Sequence, residues 1–140
     1  MDDQQPEIDF LILADRAEAI NGKLYMMGGG FDVLAPSGPG EPAQFSATIG
    51  IVVPWLATNM DHHCALRAED ADGTPLLELR LDFRVGRPPA MDQGGVQRVL
   101  FALPISLRFA ASGTHAMVAT LGSAQKRARF QVRLDPPATP

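Results

Sequence analysis

At 140 residues the chain is the length of one ordinary domain, a size at which roughly two thirds of the extended-chain surface can be buried, so a core needs neither disulfides nor metals. Apolar residues make up 46% and charged residues 20%, which excludes wholesale disorder, and the longest apolar runs, 10–14 and 50–57, are far short of a membrane-spanning helix. Twelve Lys and Arg against sixteen Asp and Glu leave a net charge of -4, which argues against a dedicated nucleic-acid or anionic-membrane binder.

The opening Met1-Asp2-Asp3-Gln4-Gln5-Pro6 is acidic and polar where a signal peptide would be basic and then apolar, so residues 1–6 read as a disordered tail. Cys64 is the sole cysteine and cannot form an internal bridge; a reducing cytoplasm is the expected location.

Next comes a hairpin. Asn21-Gly22 between apolar segments is a strong short turn signal, and it sets Ile20 opposite Lys23 and Asp15 opposite Gly28. Near that turn the apolar face holds Ala17, Ala19, Leu24 and Met26. Farther out it holds Ile8, Phe10, Ile12, Phe31 and Val33, which is the opposite parity. The ladder must change face between them, and Gly28-Gly29-Gly30 is read as the bulge or bend where a long hairpin turns a corner. Asp15 would sit beside those glycine amides and accept hydrogen bonds from them, and a β-branched residue at Gly29 would be poorly tolerated. Leu11 and Leu13 fall on the face opposite Ile8, Phe10 and Ile12, which a two-layer sandwich would leave uncovered, so they form the expected interface of a homodimer.

A loop follows over 35–42. In the next strand Phe45, Ala47, Ile49, Ile51, Val53 and Trp55 share one face, while Ser46, Thr48 and Gly50 face away until Pro54 interrupts the ladder. Shorter strands are expected at 65–69, 96–103, 105–109, 116–121 and 127–134. The clearest alternation places Leu77, Leu79, Leu81 and Phe83 on one face and Glu78, Arg80, Asp82 and Arg84 on the other. Asp72-Gly73 is the turn before it, and 86–95 forms a second long connection. The fold expected is all-β: a two-layer antiparallel β-sandwich of about seven to nine strands, immunoglobulin-like or jelly-roll-like. It occupies 7–134 as one domain, with a Pro-rich C-terminal tail over 135–140.

The segments Ala14-Asp15-Arg16-Ala17, Gly22-Lys23-Leu24, Gly28-Gly29-Gly30-Phe31-Asp32, Pro54-Trp55, Thr58-Asn59 and Val85-Gly86-Arg87-Pro88-Pro89 carry a resemblance. Together they resemble an uncharacterised bacterial family of small all-β proteins, a domain of unknown function, over residues 8–134. The resemblance implies a bacterial, cytoplasmic β-sandwich and transfers no catalytic residue.

Chemistry-bearing patterns are few. Asp61-His62-His63-Cys64 is the densest set of metal ligands, but neighbours on a strand point to opposite faces, so only alternate residues could share a site. With His115 the one remaining histidine, the competing reading is a core thiol beside exposed histidines. Glu69-Asp70-Ala71-Asp72-Gly73 begins like a calcium loop but lacks the later carboxylates, and turn chemistry alone accounts for it. The triple glycine is followed by no helix pattern and makes a weak phosphate cradle. Lys126, Arg127, Arg129 and Arg133 form a basic stripe that either docks an anion or guards an edge. No serine lies in a nucleophile elbow.

The function expected is therefore non-catalytic, exerted by protein binding or self-assembly, with no cofactor and no metal, and with a second copy or another protein as partner. The first alternative is a small-molecule or carbohydrate-binding sandwich that uses Trp55 and Asn59. The second is a metal-assisted hydrolase built on His62, His63 and His115.

Overall fold

The strands of this chain form because short alternating apolar runs are separated at most bends by Gly, Pro or Asn. The computed structural model describes residues 5–36 and 40–134. Its elements are β1 (Glu7–Ala14), β2 (Arg16–Ile20), β3 (Lys23–Met27), β4 (Val33–Leu34), β5 (Ala43–Pro54), a 3-10 turn at Trp55–Ala57, β6 (Asp61–Glu69), β7 (Pro75–Arg84), β8 (Val96–Leu107), β9 (Gly113–Leu121) and β10 (Ala124–Val132). One sheet has the order β1-β5-β8 and the other β4-β10-β9-β6-β7, while β2 and β3 pair only with each other. The fold is an all-β sandwich of packed antiparallel sheets, and no helix is long and apolar enough to cross a membrane among the described residues.

Between the two sheets lies the core. Phe45, Ala47, Ile49, Ile51 and Val53 of β5 meet Cys64, Leu66 and Ala68 of β6, Met117, Ala119 and Leu121 of β9, and Phe130 and Val132 of β10. Phe31 and Phe130 both pack on Phe45, at 6.2 Å between ring centroids.

Several expectations are corrected. The two packed sheets hold eight strands, within the about seven to nine expected, but the β2–β3 hairpin stands outside them. The segments 96–103 and 105–109 are one strand, because β8 lies at a sheet edge, where Pro104 can face Ser46 without needing a second partner for its missing N–H. The short β4 pairs in parallel with β10, so the sandwich is not wholly antiparallel. Residues 31–33 do not continue the hairpin along β1: Gly30 N–H bonds to Leu13 O at 2.7 Å, and the chain then crosses to the other sheet.

The Asn-Gly turn has positive φ at both Asn21 and Gly22, and Ile20 pairs with Lys23. Asp15 N–H closes that ladder on Met27 O at 3.0 Å. Gly28 and Gly30 are left-handed, whereas Gly29 is not, and a side chain at Gly29 would overlap only the flexible Met26, with Ile12 at ordinary contact distance. A side chain at Gly28 would overlap the Asp15 carboxylate. No glycine amide bonds to that carboxylate among the described residues; Asp15 acts by packing and through its own backbone.

The largest correction concerns β1. A bulge between Ile8 and Phe10 flips the side-chain parity, so Ile8, Leu11 and Leu13 face the core and Phe10 and Ile12 face outward. Leu13 is 3% exposed and Leu11 is half-buried against the core, so the two do not form the uncovered face expected of them. Phe10 instead lays its ring where a Cβ of Gly50 would stand. With the β2–β3 hairpin folded across β5 and β8, the outer face of β5 is also covered: Thr48 is fully buried, and its hydroxyl donates to Ile12 O at 2.7 Å.

Residues 1–4 and 135–140, where most of the expected tails fall, lie outside the described residues, as do 37–39; Pro6 is buried. Gly28→Ala is expected to cost about 1–3 kcal/mol through strain and overlap with Asp15, and Gly50→Val about 1–3 kcal/mol through displacement of the Phe10 ring. Gly29→Ala should cost less than either. Urea unfolding of the three variants checks the ranking.

Candidate functional site

The 3-10 turn at Trp55–Ala57 follows Pro54, whose missing N–H ends the β5 ladder, and it sets the chain's sole tryptophan at one end of the sandwich. Trp55 N–H donates to Gly95 O at 3.2 Å, and the Thr58 hydroxyl donates to Trp55 O at 2.6 Å. Arg87 reaches back from the loop after β7. Its guanidinium carbon stands 3.3 Å from the Trp55 ring centroid, and the same group donates to Thr58 Oγ1 at 2.8 and 3.1 Å and to Trp55 O at 3.1 Å. A planar cation that stacks and donates at once fits an arginine and not a lysine. Asn59 adopts a left-handed turn, and its N–H donates to Val85 O at 2.7 Å. Pro54-Trp55, Thr58-Asn59 and Val85-Gly86-Arg87, far apart in sequence, are thus joined in one corner.

Beside that corner lies an open groove of about 570 Å³ walled by Glu7, Val52, Pro54, Trp55, Leu56 and Val96. Leu56 and Val96 are 55% and 62% exposed on its rim. Trp55 lines it and Asn59 does not, so the structure separates the two residues expected to share a ligand: Trp55 is a wall, and Asn59 closes a turn. Sequence reasoning missed Val96 and Arg87, because nothing local to either residue indicates that the 86–95 connection folds onto Trp55.

The other candidates are held apart. His62 Nε2–H donates to Ala57 O at 2.7 Å with its ring against Phe83, His63 Nδ1 meets Asp82 at 2.6 Å on the outer face, and His115 lies between Phe109 and Phe130. No three His, Cys, Asp or Glu side chains converge on a metal-sized point among the described residues. Cys64 lies in the core, where burial pushes its thiol pKa up. In the turn before β7, Asp70 Oδ1 accepts from Asp72 N–H and Thr74 N–H at 2.9 Å, and Gly73 is left-handed, so the acidic run at 69–73 builds a turn.

Within the basic stripe, Arg127 is engaged by Glu69 at 2.6 Å, and Arg67 holds the other oxygen of that carboxylate at 3.1 Å. Glu69 is only 5% exposed. The hydrogen bond from Arg127 holds its pKa below the usual carboxylate range, against the opposing effect of desolvation and with further help from Arg67. Because the folded pKa is lowered, the ion pair stabilises the fold above the unfolded value of about 4.3 and is lost as pH falls through the folded one. Thermal melts from pH 7 to 3 should therefore show a fall in stability that Glu69→Gln makes shallower.

Arg87→Ala should cost about 1–2 kcal/mol and red-shift Trp55 emission, with Arg87→Lys recovering less than half of the loss. Urea unfolding followed by tryptophan emission measures both.

No curated protein matches the chain. The family model described as Family of unknown function (DUF6941) matches residues 9–133, and a match over so much of the sequence makes this protein a member of that family.

Proposed function

We propose that this protein acts by holding another protein and performs no chemistry of its own, in a bacterial cytoplasm as the family resemblance and the single thiol suggest. One observation carries the reading: apolar surface is left over at the groove beside Trp55, where Leu56 and Val96 stand exposed on the rim, while His63 and Asp82, and Glu69 and Arg127, are engaged with one another away from it. A stacked tryptophan flanked by exposed aliphatic residues is the composition of a protein-binding hot spot. Glu7 and Gln93 on the same wall favour a partner that presents an apolar side chain beside a basic or amide group. The small-molecule alternative loses ground because Arg87 already occupies one face of Trp55, leaving a single face for a sugar or flat ligand.

Site-specific photo-cross-linking in cells of the native host tests the reading. A photoreactive residue at Leu56 or Val96 should trap one discrete polypeptide, and the same residue at Arg129 should not. Excess unlabelled parent protein should compete the adduct away, while a Leu56→Glu variant should not. Absence of an adduct at both rim positions overturns the proposal.

A further inference from the structure

We propose that a second copy of this chain pairs with the open edge of β7, antiparallel and about a twofold axis through Leu81. This goes beyond the partner-binding reading and does not rest on it.

β7 terminates the five-stranded sheet, and its far side has no strand partner among the described residues. The other edges of the two packed sheets are interrupted or short: β1 carries the bulge after Ile8, β8 carries Pro104, and β4 is two residues long, while the β2–β3 hairpin outside those sheets offers strands of only five residues. From Leu77 to Arg84 β7 is regular, long and free of proline. Its inward row, Leu77, Leu79, Leu81 and Phe83, remains half-buried along the open side of the sandwich, next to Phe101 of β8 at 5.4 Å from the Phe83 ring. An edge of this kind invites another strand unless its charges repel one.

Here the charges attract. The outward row reads Glu78, Arg80, Asp82, Arg84. With Leu81 opposite Leu81 of the partner subunit, Glu78 faces the partner's Arg84 and Arg80 faces the partner's Asp82. On the inner side Leu79 faces the partner's Phe83 and Leu77 faces the partner's Val85. Every position meets its complement. Centring the pair on Arg80 would set that arginine against itself and Glu78 against the partner's Asp82, and centring it on Asp82 would be equally repulsive; centring it on Leu79 or on Phe83 would keep one kind of opposite-charge pair, and only the Leu81 register uses all four charges. Within the chain, Arg67 stands opposite Glu78 on β6 but turns to Glu69 instead, leaving Glu78 without an ion-pair partner among the described residues. The pairing would join two five-stranded sheets into one continuous sheet and bring the two half-buried apolar rows together.

Light scattering on a sizing column at tens of micromolar should give twice the 15.0 kDa chain mass. Arg80→Glu should weaken the dimer by about tenfold or more, and Arg80→Glu combined with Asp82→Arg should restore it. In a Cys64→Ala background, Leu81→Cys should form an intersubunit disulfide under mild oxidation, whereas Arg84→Cys, far from the axis, should not. A monomer under these conditions overturns the proposal, whatever other strand the edge accepts. So does a dimer indifferent to Arg80→Glu, or one that cross-links through Arg84→Cys and not Leu81→Cys. Circular dichroism and melting of each variant separate loss of pairing from loss of fold.

Discussion

Everything in this fold is arranged around β5. It is the middle strand of a three-stranded sheet, its Phe45-to-Val53 face forms the core, and its other face, Ser46, Thr48 and Gly50, is buried too. A two-layer sandwich covers only one of those faces. The chain supplies the second cover from its own N-terminal third, with Phe10 seated on Gly50 and the β2–β3 hairpin laid across. Two local features make that cover available. The bulge in β1 turns Phe10 and Ile12 outward, and the break at Asp15 and Gly28 lets the hairpin leave the sheet plane.

The alternation of β7, the Asn-Gly turn, the Asp-Gly turn and the inner face of β5 were legible in the sequence, because each depends on residues within a few positions of one another. The parity of β1 was not. Ile8, Phe10 and Ile12 alternate without interruption, and only pairing with β5 shows that one residue has been inserted into the ladder. That single shift exchanges Phe10 and Ile12 for Leu11 and Leu13, which is why an apparent interface became core. The Trp55 corner was half legible: Pro54 announced a strand end, yet the partner of Trp55 is thirty-two positions away, and no local pattern encodes that closure.

Several charged side chains in this molecule answer to one another. Glu69 is clasped by two arginines, Asp82 by Arg80 and His63, Asp61 by Arg84, and Asp9 by Arg98. No buried side-chain nitrogen or oxygen lacks a hydrogen-bond partner among the described residues.

The hairpin that covers β5 has no strand pairing with either sheet: backbone hydrogen bonds tie it at Asp15 and at Gly30, and beyond them it rests on β5 and β8 by packing. Such a unit can detach while the sandwich stays closed, giving a partly open state in which Thr48 and the outer side of β5 meet solvent before the core does. Amide exchange along β2 and β3 would then run ahead of exchange in β9. The chain carries its own means of following this hierarchy: its one tyrosine, Tyr25, sits on the hairpin, and its one tryptophan, Trp55, at the far corner of the body. Two fluorophores thus report separately on the cover and on what it covers.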